Sequence, residues 1–159
     1  MICYLDSSAL VKVFLKERGS VEVRQLMDEA HTVGTVSVSR AEVVAALHKA
    51  VRLGITPDDE AISARHRFRT EWPYYLRLPI SDLLIERACD LAWSYGLRGY
   101  DSVQLAAAAT WQAALDAPVV MATFDVHLWE VSSRAGLEPY PTNLPRLLES
   151  WRSQDPPIL

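Results

Sequence analysis

The stretch Ile2-Cys3-Tyr4-Leu5-Asp6-Ser7-Ser8-Ala9-Leu10-Val11-Lys12-Val13-Phe14 decides how the rest of the chain is read. Four apolar residues, Ile2 to Leu5, stop abruptly at an aspartate, which is the pattern of a short buried strand. Ser7 to Glu17 then carries Leu10, Val11, Phe14 and Leu15 on one helical face, until Gly19 ends the run. A strand that delivers an acid directly into a helix start is the unit to look for elsewhere. It recurs at Val119-Val120-Met121-Ala122-Thr123-Phe124-Asp125, where an apolar strand again meets an aspartate and a helix to Ala135 follows.

Working outward, Ser20–Ala30 reads as a helix and Thr32–Val38, rich in Val and Thr, as a strand. Ser39–Leu53 is a helix that closes at Gly54. Another begins at Thr56-Pro57, with proline at its first position, and runs to about Glu71, before Pro73. Tyr75–Ile80 reads as a strand, Ser81–Tyr95 as an amphipathic helix, Asp101–Leu115 as an alanine-dense helix able to lie close on a sheet, and Glu138–Tyr140 as a short last strand. Strands alternate with helices and lack in-out alternation. The expected fold class is therefore α/β, a central mostly parallel sheet covered on both faces by helices. One domain is expected over residues 1–142, with a proline-bearing tail over 143–159 whose end frays.

Composition narrows the function classes. The chain has 159 residues, half of them hydrophobic and 23% charged, which excludes general disorder. Its net charge of −4 excludes a protein that binds nucleic acid by bulk positive charge, though not one with a local basic groove. The two cysteines, Cys3 and Cys89, make no disulfide framework and are expected as small buried hydrophobes in a reducing compartment. No run is long enough to span a membrane, and no basic segment precedes an apolar one at the N-terminus, so a cytoplasmic location is expected.

In open α/β sheets ligands bind beyond the carboxyl ends of the strands. Asp6 and Asp125 stand at two such ends, Glu42 in the first turn after the second strand, and Asp101 at the start of the alanine-rich helix. Each has a plainer role: Asp6, Asp101 and Asp125 as N-caps, Glu42 in a capping box with Ser39. Ordinary caps scatter over a surface, whereas this topology gathers all four at one edge. Gathered carboxylates repel unless cations neutralise them, and an oxygen-only set suits Mg²⁺ or Mn²⁺. His31, His48, His66 and His127 show no zinc-ligand spacing.

The run Leu5-Asp6-Ser7-Ser8-Ala9-Leu10, then Glu42, then Leu97-Arg98-Gly99-Tyr100-Asp101, then Thr123-Phe124-Asp125 resembles the PIN domain, specifically the VapC-type toxins of bacterial and archaeal toxin–antitoxin pairs. The resemblance covers nearly the whole chain. It implies a three-layer α/β/α fold and a metal-dependent endoribonuclease with Asp6, Glu42, Asp101 and Asp125 as its Mg²⁺ or Mn²⁺ site. Thr123 and Ser7 or Ser8 match positions whose hydroxyls support that site, although they serve equally as turn caps. It also implies a cognate antitoxin covering the acidic groove, and a homodimer through the N-terminal helices, for which Leu10–Leu26 supplies apolar surface, although the same residues serve equally for the core. An aspartate-based phosphoryl-transfer enzyme and an inactive metal- or RNA-binding module are the alternatives.

Candidate RNA contacts are Arg65, Arg67 and Arg69, interleaved with Phe68, Trp72, Tyr74 and Tyr75. Single-stranded RNA is held by backbone charge and base stacking. The competing reading puts Phe68 and Trp72 in the core and the arginines on a solvated face. Arg98, three residues before Asp101, is either a substrate contact or a salt-bridge partner.

Overall fold

The computed structural model describes residues 1–154. Five strands, β1 (Ile2–Leu5), β2 (Thr32–Val36), β3 (Leu76–Leu78), β4 (Val119–Ala122) and β5 (Glu138–Tyr140), form one sheet in the order β3-β2-β1-β4-β5. Every neighbouring pair is parallel. The expected α/β class therefore holds, with a sheet parallel throughout.

Alternation of side chains across each strand builds the two faces. Cys3 and Leu5 of β1, with Val120 and Ala122 of β4, pack into one core with α1 (Ser7–Phe14), α2 (Ser20–Glu29), α3 (Ser39–Arg52) and α4 (Asp58–Glu71). Tyr4, Val119 and Met121 face the other way, into a core with α5 (Asp82–Tyr95), α6 (Gly99–Leu115) and α7 (Val126–Arg134). With both faces covered, the strands have no polar face to alternate toward. The alanine-rich α6 lies against β2 and β4. Gly34 admits it: a Cβ there would come within 2.7 Å of the Trp111 ring.

Several boundaries differ from expectation. The first helix stops at Phe14 because Ser20 intervenes: its hydroxyl donates to the Leu15 carbonyl and accepts from the Glu17 amide. The turn passes through Gly19 at φ +92°, against Phe124. The residues read as a tail are helical over α8 (Leu144–Ser153), with Leu144 buried and Trp151 stacked on Phe124 at 6.1 Å. The fraying expected at the chain's end falls on residues 155–159, outside the described residues. The edge strand β5 carries Pro139 in its middle, paired in register with Met121.

Of the apolar residues in Leu10–Leu26, offered as dimer surface or as core, Leu10, Val11, Phe14, Leu15, Val23 and Leu26 are buried in the chain's own core and Val21 is exposed. Cys3 is buried as expected, but Cys89 is exposed, because it faces outward on α5. Among the described residues, no helix is long and apolar enough to cross a membrane.

Candidate active site at the carboxyl edge of the sheet

A parallel sheet has all its carboxyl ends on one side, and the helices that follow β1, β2 and β4 begin there. Asp6 is the N-cap of α1, accepting at Oδ1 from the Ala9 amide (2.8 Å) and the Ser8 hydroxyl (2.7 Å). Its Oδ2 accepts from the Thr123 hydroxyl at 2.8 Å. Asp125 caps α7 through Oδ1, which accepts from the Leu128 amide at 2.9 Å. For these two the capping role is real, yet one oxygen of each points elsewhere.

Glu42 and Asp101 are not caps. The N-cap of α3 is Val38, with no side-chain cap bond, so Ser39 and Glu42 form no capping box. Ser39 sits one residue inside the helix, and its hydroxyl accepts from Thr35 and Gln104. Glu42 Oε2 instead accepts from the Ser7 hydroxyl (2.5 Å) and from Gln104 Nε2 (2.7 Å). The α6 helix starts two residues earlier than expected, with Arg98 at its N-cap, which leaves Asp101 free of capping in the first turn.

Gln104 is the residue that the sequence reading missed. It lies one turn beyond Asp101 and is buried. It accepts from the Tyr4 hydroxyl at 2.7 Å and donates to Glu42, with Ser7 and Ser39 also within reach of its amide. A polar side chain three positions after an acid and just before a run of buried alanines, on a helix expected to lie against the sheet, was the available signal. A buried amide survives there only if its hydrogen bonds are made.

Arg98 joins the remaining acids. Its Nε donates to Asp101 Oδ2 and its Nη2 to Asp125 Oδ2, each at 2.7 Å. Asp101, then Asp125, raises the guanidinium's pKa further above its ordinary value. Asp6 is 4% exposed, and burial is the main reason that its carboxyl is pushed up to about 6; its hydrogen bonds oppose the rise, and the nearby Asp101 charge adds to it. Glu42, Arg98, Asp101 and Ser102 border a groove of about 770 Å³ between α5 and α6, walled by Ile85, Ala88, Ala92 and Val103.

As the side chains stand, no three acids, histidines or cysteines among the described residues form a ready metal-holding group. The donor chemistry nevertheless fits a hard cation. All four acids offer oxygen, Asp6 Oδ2 keeps a lone pair beyond the one Thr123 uses, and a positive group already bridges Asp101 and Asp125.

Arg65, Arg67 and Arg69 are exposed on α4 and do not border the groove beside the acids. The Arg67 guanidinium donates to the Phe14 carbonyl, closing the end of α1. Phe68, Trp72 and Tyr75 are core residues, in a chain of ring contacts that begins at Phe14. Base stacking by those rings is thereby excluded, and only Tyr74 of that group is open to solvent.

The PIN domain family model matches residues 3–133. Ribonuclease VapC45 of Mycobacterium tuberculosis is 29% identical over 143 residues, covering 90% of this chain and 97% of the relative. Two solved structures share the fold. PAE2754 from Pyrobaculum aerophilum has a TM-score of 0.61 and 21% identity, covering 94% of this chain and 98% of its own. A toxin–antitoxin complex from Klebsiella pneumoniae has a TM-score of 0.53 and 17% identity, covering 77% of this chain and 88% of its own.

Proposed function

The chain belongs to the PIN domain family, and from that premise we propose that it is a metal-dependent endoribonuclease, the toxin of a type II toxin–antitoxin pair. The carrying observation is the set of oxygen donors at the carboxyl edge, in which Ser7, Thr123, Gln104 and Arg98 hold all four acids. The named ribonuclease relative, matched over nearly its full length, supports the reaction class. The toxin–antitoxin complex among the structures of like fold supports a small antitoxin as partner, and the negative edge suits a basic segment from it.

In this reading Asp6, Asp101, Asp125 and Glu42 hold Mg²⁺ or Mn²⁺. When bound, the cation supplies a Lewis acid that makes water more acidic and offsets charge on the phosphate. Glu42 has Oε1 free of any hydrogen bond among the described residues, while Ser7 and Gln104 fix Oε2. It is thus placed to orient a water and accept its proton. Ser7, Ser8 and Thr123 support the site by fixing the acids rather than by reacting. The mouth of the groove, with Arg98 exposed beside it, takes the RNA backbone. Asp6 is a poor aspartyl nucleophile, since it is buried and three hydrogen bonds engage its oxygens. Lys12, the lysine nearest Asp6 in sequence, is engaged by Glu17.

The test is cleavage of a single-stranded RNA pool in chelator and in added Mg²⁺ or Mn²⁺, for the parent, Asp6→Asn and Asp101→Asn. Metal-restored cleavage by the parent alone is expected. Full cleavage in chelator, or by both variants, overturns the reading.

A further inference from the structure

Arg98 carries a positive charge against two of the site's acids, and its placement is unusual. Its neighbour Leu97 is buried, so the backbone is anchored, while the Arg98 side chain is 76% exposed. From there the guanidinium reaches two carboxylates 24 residues apart in sequence, Asp101 in α6 and Asp125 at the start of α7, which are only 19% and 29% exposed. Capping explains neither contact, because the Arg98 side chain makes no cap bond to α6. Asp125 Oδ1 is already spent on the Leu128 amide, so the oxygen that Arg98 occupies is the one Asp125 has to offer.

Resting on the metal-site reading, we infer that Arg98 is an exchangeable internal counter-ion: it neutralises Asp101 and Asp125 until a divalent cation displaces it, and then grips an RNA phosphate. The physical steps are few. A divalent ion drawing on Asp101 Oδ2 and Asp125 Oδ2 repels the guanidinium beside it and withdraws the negative charge that holds it, so the Arg98 contacts weaken as the ion enters. Exposed ion pairs hold weakly, so the displacement is easy. Once released, the side chain still hangs from its anchored backbone at the mouth of the groove that Asp101 and Glu42 border. A planar guanidinium matches two phosphate oxygens at once. Cation entry and substrate capture are thereby linked: filling the site frees the group that holds the substrate.

The experiment compares the parent with Arg98→Gln, reading Mn²⁺ binding by electron paramagnetic resonance and the KM and kcat of a short RNA at saturating Mn²⁺. Asp101→Asn serves as the site control. Losing the internal competitor should tighten Mn²⁺ binding by about two- to tenfold. Without metal, Arg98→Gln should melt below the parent, and the gap should close in excess Mn²⁺. KM for RNA should rise more than kcat falls. Unchanged or weaker Mn²⁺ binding by Arg98→Gln, with binding by the parent abolished in Asp101→Asn, overturns the exchange and leaves the metal reading standing. No Mn²⁺ binding by the parent, or equal binding by Asp101→Asn, overturns the metal reading and the exchange with it.

Discussion

The four acids divide into two pairs held by opposite means. Asp6 and Glu42 are fixed by uncharged donors: Ser7, Ser8, Thr123, Gln104 and a helix amide. Asp101 and Asp125 are joined by a charge, the exposed guanidinium of Arg98. The inner pair is positioned by groups with little freedom to leave: Thr123 and Gln104 are buried, and Ser7 and Ser8 are half-buried beside them. In the outer pair Asp125 Oδ1 is held by the Leu128 amide, but the oxygens facing the site are bridged by an exposed side chain. One half of the site is therefore built with the fold, and the other is set by whichever cation is present.

The largest effect should come from breaking the inner half. Asp6→Asn keeps a side chain able to cap α1 but removes the ionised ligand. RNA cleavage should fall by at least about a hundredfold in a steady-state assay, more than the loss typical of groups that merely support a metal ligand. A retained rate would assign Asp6 to capping alone.

The next effect is on stability and pH. Burial pushes the Asp6 carboxyl from 3.8 up to about 6. The folded chain thus keeps that proton to higher pH than the unfolded chain does. The resulting stabilisation is complete below about 4 and is lost as pH climbs through about 6, a change of about 3 kcal/mol. Urea unfolding of the metal-free protein between those values should show the decline, and Asp6→Asn should lack it.

Gln104→Leu should cost about 1–3 kcal/mol in the same assay, since it strands the buried Tyr4 hydroxyl without an acceptor and leaves Glu42 Oε2 with Ser7 alone. Little loss would mean that solvent reaches the network.

The smallest effect on stability belongs to the outer half. Asp125→Asn keeps the cap of α7 and gives up one exposed ion pair. Its metal-free melting temperature should move by only about 1–2 °C, with much of the RNA cleavage lost. Bare repulsion among four acids would instead predict a clearly higher melt for this variant. Arg98 removes that expectation by neutralising the outer pair, and a rise of many degrees would show that it does not.

Much of this was legible in the sequence for a definite reason. Apolar strands ending at Asp6 and Asp125 mark carboxyl edges, and a parallel sheet puts such edges together, so two acids and the fold follow from one pattern. Glu42 stands in the first turn of its helix as expected, but the plainer role offered for it does not hold: Ser39 and Glu42 have capping-box spacing, and the helix begins one residue too early for it. The hydroxyl of Ser39 points into the buried network instead, which only the packing of α6 against β2 decides. Phe68 and Trp72 have the four-residue spacing of a helix face, and spacing alone does not say whether that face meets RNA or Phe14. Gln104 and the reach of Arg98 to Asp125 depend on contacts between distant segments, which no local pattern encodes.

Pro139 has a consequence for how this sheet meets other chains. The Tyr140 carbonyl accepts from the Thr123 amide, so Tyr140 faces inward and its neighbour Pro139 faces out. The outer rim of β5 therefore lacks the one N–H that an arriving strand would need at its centre. Growth of the sheet on that side is disfavoured by covalent structure, since one ladder hydrogen bond is missing whatever strand arrives. The opposite rim, β3, is only three residues long and carries Arg77 at its midpoint. Short, charged or proline-bearing rims are how sheets resist edge-to-edge aggregation.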